Sequence, residues 1–244
     1  MHRDVAHVMA GLERPVAAHF SVSGALQSFR ATLTSALDRS DLVERSVLWI
    51  AQNASSADLD FEELVASTVP IVAAGHATTT NLIANGAWLL LSHPGQRFLI
   101  TSDPADGWSL AIDEMLRFES PVQTVRRVAT EALEVSGQRL EAGRELVLAI
   151  GKANRDPAAF RDPNRFDVRR SPNRHLGFGL GPHFCLGAQL ARVQARAAFE
   201  ALFSLPSLHA IDHEPRWMTS SASRGLERIQ VEWDSDRVSD SASS

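Results

Sequence analysis

The fold of this chain is decided around Phe178-Gly179-Leu180-Gly181-Pro182-His183-Phe184-Cys185-Leu186-Gly187, the stretch that holds its only cysteine. Apolar residues then recur close to the helical period and predict a helix that ends near Phe203. These residues are Leu186, Leu190, Val193, Ala197 and Leu202. Cys185 would therefore lie at a helix N-terminus, where unpaired amides and the positive dipole end stabilise a thiolate. The glycines can adopt positive φ and let a large ring approach the backbone.

A lone cysteine in a globular chain is most often a small buried apolar residue. A thiolate framed by glycines suits instead the iron of haem, onto which it pushes electron density. The frame Phe-Gly-x-Gly-x-His-x-Cys-x-Gly fixes six positions in ten residues, which makes the motif specific. From Phe178 to Gly187 this stretch resembles the haem-binding loop of the cytochrome P450 family.

The resemblance extends from about Ala25 to Trp233 and corresponds to about the last three-fifths of a typical family member. It implies a mainly α fold with small antiparallel β segments, the C-terminal portion of the cytochrome P450 fold, truncated at its N-terminus. We expect a single partial haem-thiolate domain over residues 1–233 and a disordered polar tail over residues 234–244. The implied cofactor is haem b, bound noncovalently because the chain has no Cys-x-x-Cys-His motif.

The composition of the 244 residues, 44% hydrophobic and 22% charged, is that of an ordinary globular protein. A net charge of −5 gives no global basic field for nucleic acid or an anionic membrane. A single cysteine excludes an internal disulfide and fits a reducing cytosol. The N-terminus, Met1-His2-Arg3-Asp4, lacks the apolar stretch of a signal peptide or anchor. We therefore expect a cytoplasmic protein without a membrane or nucleic-acid partner.

Hydrophobic periodicity predicts a largely helical first half of the chain. Residues 1–50 are predicted to be helical, with apolar positions at Leu26, Phe29, Leu33 and Leu37 and a second short helix at 42–51. Later helices are predicted at 60–92 and 109–118. In the long helix, Asp60 and Glu63 make a plausible capping box, and Pro70 should remove a hydrogen bond and bend the axis.

Alternating apolar residues predict strands in the middle of the chain. Residues 132–135 and 139–140 should form a hairpin joined by Ser136-Gly137, followed by a strand at 145–150. Residues 153–177 are predicted as loop, and residues 224–233 as a late strand.

The sequence Glu114-Met115-Leu116-Arg117 places an acid and a base on one helix face. Taken alone, such a pair is usually a solvated surface ion pair. It resembles the Glu-x-x-Arg helix of the cytochrome P450 family, and Arg165, in Pro163-Asn164-Arg165-Phe166, resembles the later arginine of that family. The resemblance implies a buried ionic triad of Glu114, Arg117 and Arg165 that braces the segment positioning Cys185.

The middle of the long helix, from Ala73 to Asn81, contains a glycine and three consecutive threonines, which weaken a helix and could open a groove. The simpler interpretation is threonines packed in a buried helix. The run resembles the oxygen-binding segment of the family, with Gly75 as its glycine and Thr78 as its catalytic hydroxyl. Ala77 stands where the family usually has an acid, so proton delivery would depend on Thr78, His76 or ordered water.

Further residues resemble those that hold haem in the family. His183 and Arg127 correspond to the partners of the haem propionates. Phe178 would pack near the sulfur and shield it from water, with Gly179 beside it in the cofactor-binding loop. Taken alone, a histidine and an arginine of this kind are more often solvated.

Three functional hypotheses follow. The first is a haem-thiolate monooxygenase that receives electrons from a ferredoxin-type donor and acts on a small apolar molecule. The second is a non-catalytic auxiliary or scaffold relative, and the third is a truncated gene product without independent function. Because the missing part would leave apolar faces exposed, we also expect a homodimer or a partner subunit. We favour the first hypothesis because the candidate haem ligands are present.

Overall fold

The computed structural model describes residues 27–28, 30–32, 34–36, 61–101, 104–211 and 214–234. It divides into two compact units, residues 1–77 and 78–244. The described residues between 27 and 36 are helical, in agreement with the first predicted helix. The predicted helix at 42–51 and almost all of the predicted tail lie outside the described residues. The single-domain organisation stays a prediction.

The predicted long helix is confirmed as α1, Phe61–Ser92, with Pro70 inside it. Its 32 residues correspond to about 48 Å at the usual helical rise. The run with three threonines is continuous α-helix. The alanines around that run are strong helix formers and offset the cost of the threonines.

Two helices follow α1. Helix α2, Pro94–Thr101, was not predicted from the sequence. Helix α3, Pro104–Phe118, begins five residues before the predicted start at 109. Proline suits the first position of a helix, where its missing N–H has no intrahelical partner in any case, and this explains why α2 begins at Pro94 and α3 at Pro104.

The predicted hairpin is confirmed. Strands β2, Leu133–Val135, and β3, Gln138–Leu140, pair antiparallel. Ser136 and Gly137 in the turn have φ of 50° and 78°. Two consecutive positive φ values match the twist of the flanking strands.

The other strands also form antiparallel pairs. Strand β1, Thr124–Val128, pairs with β4, Glu145–Ala149. A short helix α4, Ile150–Ala153, follows β4 directly. The late strand is present only as β6, Val231–Glu232, which pairs with β5, His209–Ala210.

The predicted helix after the cysteine is α5, Ala188–Phe203. Its buried residues are Ala188, Ala195 and Phe199. The apolar residues that predicted it are largely exposed, since Leu190 is 61% and Val193 64% accessible. The period of the pattern therefore identified the helix but not its buried face.

The core of the second unit lies where α1, α3 and α5 meet. Trp108 of α3 stacks on Phe199 of α5, with ring centroids 5.5 Å apart. Gly86 of α1 faces both helices so closely that a Cβ atom there would lie 2.5 Å from Phe199 and 2.6 Å from Met115. This packing fixes α3 and α5, the two helices that flank the cysteine loop. Among the described residues, the helices are too short or too polar to cross a lipid bilayer.

Candidate functional site

The cysteine loop, residues 176–187, is closed by its own backbone. The Cys185 N–H donates to the Phe178 carbonyl at 2.9 Å, and the Phe184 N–H donates to the Gly181 carbonyl at 3.0 Å. Gly179 and Gly181 have φ of 74° and 81°, a region that favours glycine. Their presence therefore permits the turn that returns the chain from Phe178 to Cys185.

Cys185 is a free, exposed thiol. It lies three residues before Ala188, the first residue of α5, as the helical pattern predicted. The short 3₁₀ helix Gly181–His183 precedes it. The thiol is thus presented outward on a loop of defined conformation.

Large apolar side chains surround the cysteine in sequence and are open to solvent. We call them the apolar rim: Leu180, Phe184, Leu186, Leu190 and Val193. Leu186, next to the thiol, is 89% exposed. A Cβ atom built on Gly181 or Gly187 would meet no other heavy atom within 4 Å. The rim therefore offers open apolar surface to a large flat ligand.

Among the residues that the structure describes, histidine, cysteine and acidic side chains nowhere gather in threes to hold a bare metal ion. Cys185 supplies a single soft sulfur donor. A lone sulfur suits an iron already held by a porphyrin ring. The thiol, the rim and the glycines together fit haem, whose ring is flat and mostly apolar.

Glu114 and Arg117 on α3 form a fully buried ion pair. The guanidinium donates from Nε to Oε2 at 2.7 Å and from Nη2 to Oε1 at 2.8 Å. Arg117 also donates to the carbonyls of Asn154 at 2.9 Å and Pro163 at 2.8 Å. The predicted pairing of Glu114 with Arg117 is what the structure contains, and it anchors the irregular segment that leads to the cysteine loop.

The third member of this cluster is Arg170 and not Arg165, which corrects the expectation from the sequence. The Arg170 Nε lies 3.1 Å from Glu114 Oε2, and its side chain is 11% exposed. The Arg165 side chain is 67% exposed, with Nη2 4.0 Å from Asp167. The Arg165 carbonyl, rather than its guanidinium, faces the cluster and accepts bonds from Arg117 and Arg170. Phe166, the next residue, is buried, and the neighbouring Arg165 side chain faces solvent.

A second ionic cluster, which sequence reasoning missed, lies next to the cysteine loop. Asp113 Oδ1 accepts hydrogen bonds from Arg192 of α5 at 2.9 and 3.2 Å and contacts His175 Nε2 at 3.3 Å. Burial favours the neutral acid, but the bond to His175 and the charge of Arg192 outweigh it and lower the Asp113 pKa. The only signal in the sequence is the acidic pair Asp113-Glu114.

Asn154 was also missed, although it is fully buried. Its side-chain oxygen accepts the Leu176 N–H at 2.7 Å, and its amide nitrogen lies 3.5 Å from the Leu116 carbonyl. It therefore connects α3 to the start of the cysteine loop. The sequence Asn154-Arg155-Asp156-Pro157 predicts only a loop.

Phe178 is partly buried against the core. The Arg192 guanidinium lies 4.6 Å from its ring centroid, and the ring meets Phe184 edge-on at 6.3 Å. The predicted propionate partners are both exposed, with His183 in the cysteine loop and Arg127 on β1. Arg127 donates to the carbonyl of Arg126 at 2.8 Å.

The predicted oxygen-site residues lie on α1. Gly75 is exposed, and a Cβ atom there would meet no other heavy atom within 4 Å. Thr78, Ala77 and His76 are half-buried. The boundary between the two units falls between Ala77 and Thr78, so Thr78 belongs to the same unit as Cys185.

Comparison with known proteins identifies the family. The family model described as Cytochrome P450 matches residues 109–229. The chain is 44% identical over 172 residues to "Biotin biosynthesis cytochrome P450" of Bacillus subtilis (strain 168), covering 70% of this chain and 43% of that protein. It is 39% identical over 202 residues to "Cytochrome P450 monooxygenase PikC" of Streptomyces venezuelae, covering 80% and 47%.

The fold is shared with solved structures as well. "Crystal Structure of CalO2" matches with a TM-score of 0.86 and 30% identity, covering 95% of this chain and 60% of that one. The chain spans less than half the length of the two curated relatives above. The expectation of a mainly α partial fold with small antiparallel sheets is confirmed.

Proposed function

The chain belongs to the cytochrome P450 family, and from that premise we propose that it is a haem-thiolate oxidoreductase of the monooxygenase type. The observation that carries the proposal is the exposed Cys185 thiol, held on a closed glycine loop and bordered by the apolar rim. A thiol that served only packing would be buried among apolar neighbours.

Haem b would be held by groups from several parts of the chain. Cys185 would provide the sulfur ligand, and the apolar rim would offer apolar surface to the ring. His183 and Arg127, both exposed, provide cationic or hydrogen-bonding partners for the propionates. The absence of side chains at Gly179 and Gly181 lets the ring approach the loop backbone. When bound, haem supplies the redox chemistry that activates dioxygen.

The residues of the chain control water and protons around that chemistry. With haem bound, Phe178, which contacts Arg192 and Phe184, would shield the sulfur side from water. The Thr78 hydroxyl, on α1, would donate or accept a proton at Oγ1. Because Ala77 has no acidic group, proton supply depends on Thr78, on His76 or on water. We therefore propose that turnover is slower, and that oxygen consumption is less tightly coupled to product formation, than in family members with an acid at that position.

The substrate in this proposal is a small apolar organic molecule, and the electron donor is a ferredoxin-type protein in the cytoplasm. The relatives are described as a biotin biosynthesis cytochrome P450 and a cytochrome P450 monooxygenase, which supports a role in oxidising small molecules. The expected homodimer or partner subunit stays a prediction.

The proposal is tested by reconstituting the purified chain with hemin and recording the carbon monoxide difference spectrum after reduction. We expect a Soret band characteristic of thiolate ligation, and its loss in Cys185→Ser. His183→Ala should weaken haem retention, whereas His209→Ala, which removes an exposed histidine on β5, should not.

Failure of the wild-type chain to bind haem would overturn the proposal. It would favour a non-catalytic auxiliary relative or a chain without independent function. Haem bound without the thiolate signature would also contradict the assignment of Cys185.

A further inference from the structure

Two consecutive acidic residues on α3 hold different parts of the molecule. Side chains one residue apart on a helix point about 100° from each other. Glu114 is directed to Arg117 and Arg170 in the buried cluster. Asp113 is directed to His175 and Arg192, which lie before and after Cys185 in the chain. The two carboxylates thus anchor successive segments that lead into and out of the cysteine loop.

The contacts of Asp113 converge on a single oxygen. Oδ1 receives both Arg192 bonds, at 2.9 and 3.2 Å, and faces His175 Nε2 at 3.3 Å. The His175 side chain is only 6% exposed, whereas Asp113 and Arg192 are each a quarter exposed. Such charge-assisted bonds are stronger than neutral ones and fix the orientation of the groups that they join.

The orientation of His175 follows from its two ring nitrogens. Nδ1 accepts the Gly177 N–H at 3.1 Å, so the neutral ring carries its proton on Nε2 and donates it to Asp113. The carboxylate therefore fixes both the tautomer of His175 and the backbone at Gly177, one residue before Phe178.

Arg192 connects Asp113 to Phe178 by a second route. Its guanidinium lies 4.6 Å from the Phe178 ring centroid, within the range of a cation–π contact. The Phe178 carbonyl in turn accepts the Cys185 N–H at 2.9 Å. A continuous set of contacts therefore joins Asp113 to the backbone of the cysteine.

We propose that Asp113 is a positioning residue for Cys185, acting through Arg192 and His175 on Phe178. The inference deepens the proposed function and rests on it for the identity of Cys185 as the haem ligand. The ordering of the Cys185 backbone by Asp113 does not depend on haem and can be measured in the haem-free chain.

The test uses Asp113→Asn and, as a second variant, Arg192→Gln, whose long side chain is partly exposed and can be replaced with less risk to folding. The matched control is Glu119→Gln. Glu119 is a partly buried acid at the end of the same helix and pairs with Arg155 and Arg224 instead of residues near the cysteine loop. Each of the three substitutions removes one charged group, a carboxylate or a guanidinium, from a cluster in which one carboxylate has two partners.

The first readout is amide hydrogen exchange in the chain without added haem. We expect the Cys185 and Gly177 amides to exchange about tenfold faster, relative to the Ala129 amide, in Asp113→Asn and Arg192→Gln, since charged hydrogen bonds of this kind are worth about one decade or more. Ala129 donates to Arg144 in the sheet region and reports global opening. A merely structural loss of stability would raise all three rates together, as in Glu119→Gln.

The second readout is the reduced carbon monoxide spectrum after hemin reconstitution. We expect the fraction of thiolate-ligated complex to fall in Asp113→Asn and Arg192→Gln and to stay at the wild-type value in Glu119→Gln. If the Cys185 and Gly177 amides of both variants exchange, relative to the Ala129 amide, as they do in the wild-type chain, the inference is wrong whether or not the chain binds haem. A wild-type chain that binds no haem would overturn the proposed function, while the exchange ratios would still decide the role of Asp113.

Discussion

At the scale of single residues, the candidate site depends on a few buried or partly buried charges. Glu114 is fully buried and is compensated by Arg117 and Arg170. A buried carboxylate is tolerated only when such partners neutralise it and satisfy its oxygens. Its Oε1 also accepts the Asp167 N–H at 2.9 Å. These contacts hold the irregular segment before the cysteine loop against α3.

The correction from Arg165 to Arg170 gives a direct mutational prediction. Arg170→Met should lower the free energy of unfolding by about 3 kcal/mol, because it removes one partner of a buried charge. Arg165→Met, at an exposed side chain, should change it by less than about 0.5 kcal/mol. Urea unfolding of the two variants measures both values, and equal losses would contradict the assignment.

Asp113 predicts a pH dependence of stability. Its folded-state pKa lies below the ordinary value of 3.8, because His175 and Arg192 stabilise the charge against the cost of burial. A lowered pKa contributes stability above the unfolded-state value, and this contribution is lost as pH falls through the folded-state pKa. The difference in stability between the wild-type chain and Asp113→Asn should therefore shrink below about pH 4. Denaturant unfolding between neutral and acidic pH measures it; a constant difference would count against the ion pair.

At the scale of elements, the site is placed by the contact of three helices. Helices α1, α3 and α5 approach closely at Gly86, where Phe199 and Met115 leave no room for a Cβ atom. Helix α3 carries both acidic anchors, and α5 carries Arg192. The distance between α3 and α5 therefore sets where the segments before and after Cys185 are held.

Gly86→Ala should destabilise the chain by about 1–3 kcal/mol, because the added methyl group forces two packed helices apart. Gly95→Ala is the matched control in α2, where a Cβ atom would meet no other heavy atom within 4 Å, and alanine favours a helix. Thermal unfolding compares the two. A neutral Gly86→Ala would show that the helices can separate without cost.

At the scale of the whole molecule, large apolar side chains remain exposed at several places within the described residues, including Phe98 on α2. Two of these places are the apolar rim around Cys185 and the β1–β4 pair with Val128, Val147 and Leu148. Exposed apolar surface of this kind marks sites that bind other molecules. The chain spans less than half the length of the curated relatives reported above.

Hemin should stabilise the folded chain if it binds the rim and the thiol. A ligand that binds only the folded state at about 100 times its Kd adds about 2.7 kcal/mol. We therefore expect a higher Tm in the presence of hemin for the wild-type chain and a smaller increase for Cys185→Ser. An identical increase in both would indicate adsorption to apolar surface without sulfur ligation.

Local signals account for the parts of the fold that were predicted correctly. The Ser136-Gly137 turn is favoured because these two positions need positive φ and glycine accepts it. The long α1 and the helix after the cysteine follow from apolar periodicity. The sequence misplaces the start of α3, because Pro104 fits a turn as well as the first position of a helix.

The sequence by itself determined the family, the cysteine loop and the buried pair of Glu114 and Arg117, since each is a motif of short range. Only the tertiary structure decided that Arg170 completes the buried cluster, that Asp113 holds His175 and Arg192, and that α5 buries Phe199 while Leu190 stays exposed. The physical reason is that these contacts join residues tens of positions apart, and their geometry depends on how three helices pack together.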